Sequence, residues 1–215
     1  MTSSTPLRTE VRRGIAGGIS SRNRLAGGWW LRGCRALALL TALAALLVTS
    51  TGCTWISYLG TDVTGVERGQ TWYLGGAGPF GHVGTIDVPK GLRNAGYRGA
   101  IEVFGWQGVL PSTLRDQTDR ERNEYQGQRL AERVSAYQRE FPGRPVNIIA
   151  LSAGTGVATW ALESLPEDAR VDTVVFLGSS IARDYDLRPA LGHVRKALYN
   201  FYSPDDPILR YGVPV

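Results

Sequence analysis

The sequence predicts an α/β fold, a mostly parallel sheet with helices on both faces. Three observations carry that expectation. Short β-branched and apolar runs recur after residue 70, and stretches of helical periodicity separate them. The runs are also apolar at nearly every position, as strands covered on both faces require. Strands alternating with helices at this spacing imply crossover connections and therefore a parallel sheet.

The elements follow in order. Residues 71–74 (TWYL) form a buried strand that stops at a glycine cluster. A short helix is expected from about Val88 to Ala95, with Asp87 as its N-cap and Gly96 behind it. Residues 100–104 (AIEVF) give the next strand, closed by Gly105. After a loop containing Pro111, Thr118-Asp119-Arg120-Glu121 has capping-box spacing. From there Leu130, Val134, Tyr137 and Phe141 recur at helical spacing until Pro142-Gly143. Residues 146–151 (VNIIAL) are a strand running straight into Ser152, and Ala158, Ala161, Leu162 and Leu165 mark one face of a helix that Pro166 closes. Residues 171–177 (VDTVVFL) are a further strand, Leu187–Lys196 reads as helical, and residues 197–202 (ALYNFY) are the last strand.

A chain of 215 residues suits one domain plus a targeting segment, and 43% apolar residues are enough for a core. The net charge of +5 is unevenly placed. Residues 1–52 hold seven arginines against one acid, whereas from Cys53 onward 17 basic residues face 18 acidic ones. The basic character belongs to the leader, so a nucleic-acid partner, which needs a basic face on the folded part, is not expected. The two cysteines, Cys34 and Cys53, both lie near the N-terminus. No disulfide framework can staple the body, and no Cys/His cluster suggests a metal site.

Residues 36–48 (ALALLTALAALLV) follow an Arg-rich stretch. The run is shorter than the ~20 residues of a spanning helix and suits the apolar part of a signal peptide. Ser50-Thr51-Gly52-Cys53 then resembles the lipobox of bacterial lipoproteins, with Ser50 standing where a Leu-like residue is usual. The expectation is a leader over 1–52, a linker over 53–69 and one domain over 70–215, exported and held to a membrane through lipidated Cys53. The alternative is an uncleaved anchor.

Three segments carry chemistry. Ala150-Leu151-Ser152-Ala153-Gly154 joins a strand to a helix through a serine, with small residues two positions to either side, close to the G-x-S-x-G pattern. A serine on a sharp strand–helix turn exposes its hydroxyl, and the next amide faces the charge that develops on a substrate oxygen. The alternative is a serine N-cap on an ordinary helix. Leu74-Gly75-Gly76-Ala77-Gly78-Pro79-Phe80-Gly81 is a glycine-rich loop after an earlier strand, and Ser203-Pro204-Asp205-Asp206-Pro207-Ile208-Leu209 follows the last strand. Gly76, Gly78 and Gly81 also spell G-x-G-x-x-G, with Glu102 about twenty residues on. Pro79, Gly84 and Pro89 make a poor opening for the helix a dinucleotide site needs, and Glu102 falls inside its strand.

In that order on alternating strands and helices, the three segments resemble bacterial α/β-hydrolases over roughly residues 70–215. The resemblance implies a serine hydrolase of carboxylic esters or related acyl bonds that uses a small-molecule acyl substrate and no cofactor. Ser152 is the implied nucleophile. Amides of Ala153 and of Gly76 or Ala77 are the implied oxyanion donors, and Asp206 is the implied acid. Asp205 is the alternative acid, with Asp184 and Asp186 behind it. The family order also calls for a histidine after the acid, yet the only histidines are His82 and His193. The expectation is therefore a fragment lacking the last strand and helix, or a non-catalytic binding or structural relative, or recruitment of His82 as base.

Overall fold

In a computed structural model, residues 60–108, 116 and 118–205 are described. The elements are β1 Gln70–Leu74, α1 Asp87–Asn94, β2 Ala100–Val103, α2 Arg120–Glu140, β3 Val146–Leu151, α3 Gly154–Glu163, β4 Val171–Leu177, α4 Arg188–Leu191 and β5 Val194–Phe201. Short 3-10 turns precede β1 (Val66–Arg68) and follow it (Gly78–His82). The five strands pair in the order β2-β1-β3-β4-β5, and every pairing is parallel. The α/β architecture read from the sequence is therefore the one observed.

The apolar runs explain the layers. β1 is buried at all five positions, because its side chains alternate between two covered faces. Trp72 and Leu74 join Ile148, Ala150, Val174 and Phe176 in a core closed by Leu130, Val134, Val157, Ala161 and Leu162 of α2 and α3. Tyr73 points to the opposite face, where its hydroxyl donates to Val83 O at 2.5 Å beneath the segment that leads into α1. Removing that ring from water pushes its pKa up to about 12. The sequence rule also finds its limit here: β5, the outer strand, is exposed at most positions, Tyr199 and Phe201 among them.

Several boundaries differ from expectation. The helix expected over Leu187–Lys196 is a single turn, Arg188–Leu191, and the strand expected at 197–202 begins at Val194. Gly192 ends the turn, and Val194 pairs with Val171, so pairing with β4 overrides the local helical pattern. Asp87 is the first residue of α1, and Ile86 occupies the cap with no side-chain bond. At the start of α2 it is Asp119, one residue after Thr118, that caps, accepting from Arg122 N at 3.2 Å. The leader, its apolar segment and Cys53 lie outside the described residues.

Candidate functional site

β3 delivers Ser152 to the C-terminal edge of the sheet, where its amide donates to Leu177 O at 2.9 Å. Ser152 has φ 51° and is the one non-glycine residue with positive φ among those described. That conformation crowds Cβ against the backbone and costs roughly 1–2 kcal/mol, so the surroundings must enforce it. They do so through the serine's carbonyl, which accepts from Thr155 N at 2.9 Å, Thr155 Oγ1 at 2.6 Å and Ser180 Oγ at 3.2 Å. The Thr155 hydroxyl, fully buried, also accepts from Ser179 Oγ at 3.2 Å and Ser180 N at 3.3 Å. One donation and two acceptances use its whole capacity. The loop after β4 thus braces the turn after β3.

The serine side chain is left out of this bracing. Its Oγ has no hydrogen-bond partner among the described residues, and the cap of α3 is Ala153, with no side-chain bond. An ordinary serine N-cap is therefore not what the turn contains. Gly154 has its own steric reason: a Cβ there would stand 2.5 Å from Gly75 O and 2.9 Å from Leu74 O. The first turn of α3 lies against the end of β1, and this contact brings the serine turn and the glycine loop together.

The loop is drawn into place by residues the sequence did not single out. Trp106 Nε1 donates to Gly75 O and Gln107 Nε2 to Gly76 O, each at 2.9 Å. Asp116, only 2% exposed, accepts from Gly78 N at 3.0 Å and Gly108 N at 3.1 Å, and pairs with Arg122 at 3.1 Å. Arg122 Nη2 in turn donates to Trp106 O at 2.6 Å. One buried carboxylate therefore ties the glycine loop, the loop after β2 and the first turn of α2 into a unit. The amides of Gly76, Ala77 and Ala153 donate to nothing among the described residues. Backbone N–H groups are normally spent, so donors left open beside a strained serine suit an anion site.

The remaining candidates divide by position. Asp206 lies outside the described residues. Asp205 is exposed just past the C-terminal end of β5, its amide donating to Ser203 Oγ at 3.3 Å. β5 stands two strands from β3, about 10 Å away at ordinary strand spacing. Asp184 is exposed, and Asp186 is held by Arg188 at 2.7 Å, whose hydrogen bonds lower its pKa. His193 precedes β5, with Nδ1 3.0 Å from Ala169 O and its own carbonyl accepting from Val171 N, the first residue of β4. It therefore sits at the N-terminal edge, a strand length of roughly 20 Å from the serine turn. His82 ends the 3-10 turn after β1, next to the glycine loop, and its buried Nδ1 has no partner among the described residues. No hydrogen bond joins either histidine to Ser152 among the described residues.

The geometry also speaks against the dinucleotide alternative. Gly78 opens a 3-10 turn in place of an α-helix, and Glu102 is engaged by Trp72 Nε1 at 3.2 Å and by Arg133. Its carboxylate is spent within the sheet–helix interface.

The fold is similar to that of a Trichoderma reesei cutinase solved in complex with a C11Y4 phosphonate inhibitor. The likeness covers 81% of this chain and 80% of that one, at 19% identity and a TM-score of 0.52. An acetyl xylan esterase solved as an iodinated complex is similar over 64% of this chain and 84% of its own, at 13% identity and a TM-score of 0.45. Neither a protein-family profile nor a curated protein sequence matches the chain. At 19% identity the likeness to the cutinase establishes a cutinase-like α/β fold.

Proposed function

We propose that the chain is a serine hydrolase of carboxylic esters or related acyl bonds, with Ser152 as nucleophile. The observation that carries this is the strained serine at the β3–α3 turn, its Oγ uncommitted and open amides beside it. Ser152 Oγ would form a bond to the substrate carbonyl carbon while its proton passes to a base. The carbonyl oxygen, now negative, would be held by the amides of Ala153 and the glycine loop. Collapse breaks the ester C–O bond, and the proton follows the departing alcohol. Water then repeats the sequence, releasing the acid and restoring Ser152. Asp206 is the proposed orienter of the base, because the segment it follows ends at the same sheet edge as the serine. Of the two histidines, His82 stands at that edge.

A non-catalytic binding or structural protein on the same scaffold is favoured by one observation, the absence of a histidine hydrogen bond to Ser152 among the described residues. Fluorophosphonate labelling of the full chain, with Ser152→Ala and His82→Gln alongside, separates the two. A hydrolase is labelled at Ser152 and loses the label in Ser152→Ala; loss also in His82→Gln identifies the base. A wild-type chain without label leaves the binding protein.

We further propose that the leader exports the body and that Cys53 carries the lipid anchor, on the strength of the Arg-rich flank, the apolar run and Thr51-Gly52-Cys53. Expression in a bacterial host followed by mass spectrometry should find a lipidated N-terminal Cys53. Cys53→Ser should release the body from the membrane fraction. An unmodified Cys53 in an uncleaved chain refutes the lipid anchor.

A further inference from the structure

The peptide planes of the glycine loop are fixed from one side. In a planar trans peptide the C=O and the following N–H point in opposite directions. Gly75 O faces the Trp106 indole and also α3, 2.5 Å from where a Cβ on Gly154 would stand. The Gly76 N–H therefore points away from α3, the helix that follows Ser152. Gly76 O faces Gln107 Nε2, and a Cβ built on Gly81 would come within 2.9 Å of it. The Ala77 N–H consequently points away from Gln107 and Gly81, and it meets no acceptor among the described residues. Glycine at its first position tolerates either orientation of this peptide, although turning it over would carry Ala77 to positive φ at a cost of roughly 1–2 kcal/mol. The flipped form would present a carbonyl where an anion needs a donor.

Gln107 supplies a further restraint. Its amide can donate to Gly76 O without bringing a charge, and its loop is held by Arg122 on Trp106 O and by Asp116 on Gly108 N. We propose that Gln107 is a positioning residue for the reaction assigned to Ser152. By locking the Gly76–Ala77 peptide it makes the Ala77 amide, and not that of Gly76, the second oxyanion donor beside Ala153. The proposal rests on the reading of Ser152 as nucleophile. It identifies one amide where the sequence left two.

The experiment uses the full chain and two variants. Gln107→Leu removes the donor, and its maximal rate of fluorophosphonate labelling should fall about 10²-fold while the half-saturating probe concentration stays within about twofold. Gln107→Glu can donate only when protonated. Its labelling rate, taken relative to wild type at each pH, should recover as pH falls through the carboxylate range, all within one folded variant. In amide 15N–1H spectra the Ala77 resonance should move in Gln107→Leu. Wild-type labelling by both variants at every pH overturns the proposal while leaving Ser152 as nucleophile. A wild-type chain never labelled at Ser152 refutes the nucleophile reading instead. The Ala77 resonance then decides the peptide orientation alone, and an unmoved resonance overturns that as well.

Discussion

Ser152 carries its strain in the backbone, so the strain can be measured apart from any chemistry. Replacing it with alanine removes the hydroxyl and keeps the Cβ that makes φ 51° costly, whereas glycine removes both. Ser152→Gly should be more stable than Ser152→Ala by about 1 kcal/mol, a shift of roughly 2–4 °C in a domain of this size. Equal melting temperatures would show that the turn is relaxed. Tyr73 makes a second residue-scale prediction. Its phenol, pushed from 10.0 up to about 12 by burial, stays neutral in the folded chain after the unfolded chain has ionised. The folded state therefore has this contribution in full below pH 10 and loses it as pH rises toward 12. Chemical denaturation across that window should show stability falling with pH, with a shallower fall in Tyr73→Phe.

At the scale of elements, two glycines set how closely neighbours approach. A Cβ on Gly127 of α2 would stand 2.8 Å from Trp160 Cβ and 2.9 Å from Ala161 N, so that helix lies directly on α3. A Cβ on Gly154 would meet two backbone oxygens at the end of β1. Gly154→Ala should cost about 1–3 kcal/mol by overpacking, and labelling at Ser152 should fall with it, because the methyl pushes apart the two segments that form the site. Melting and labelling of one preparation check both. These contacts also show which elements could be read in advance. β3 and β4 matched because both are apolar runs bounded by turn residues. α4 and β5 did not, because the pattern around His193 is short and only partnership with Val171 decides where the strand begins. Gly154 was recognised for its place in the serine motif, while Gly127 gave no signal, since a glycine inside a helical pattern does not announce what packs on it.

For the whole molecule, the parallel sheet separates the edge proposed for chemistry from a structural one. Ser152, the glycine loop and Asp205 stand where strands end; Asp172 and His193 stand where they begin. The strand–serine–helix order made the first edge legible, because a motif whose local geometry is strained leaves a local pattern. The bracing did not show, because Trp106, Gln107, Asp116, Thr155 and Ser180 reach the site from four different segments and each looks like an ordinary loop or helix residue in sequence. Asp172 tests the division. The residue is 4% exposed, and its carboxylate accepts from Val146 N at 3.0 Å and lies 3.3 Å from Lys196 and 3.5 Å from Arg195. It thereby ties the starts of β3, β4 and β5. Asp172→Ala leaves the buried Val146 amide without its acceptor and should destabilise the chain by about 1–3 kcal/mol. Labelling at Ser152, measured well below the melting temperature, should remain at the wild-type rate. Asp116→Ala should lose a comparable amount of stability, yet its labelling should fall steeply, because its carboxylate holds the loop that carries the Ala77 amide. If both variants lose labelling in proportion to stability, the edges are not independent and the site depends on global rigidity. If only Asp116→Ala loses it, the charge that orders the glycine loop is part of the site itself.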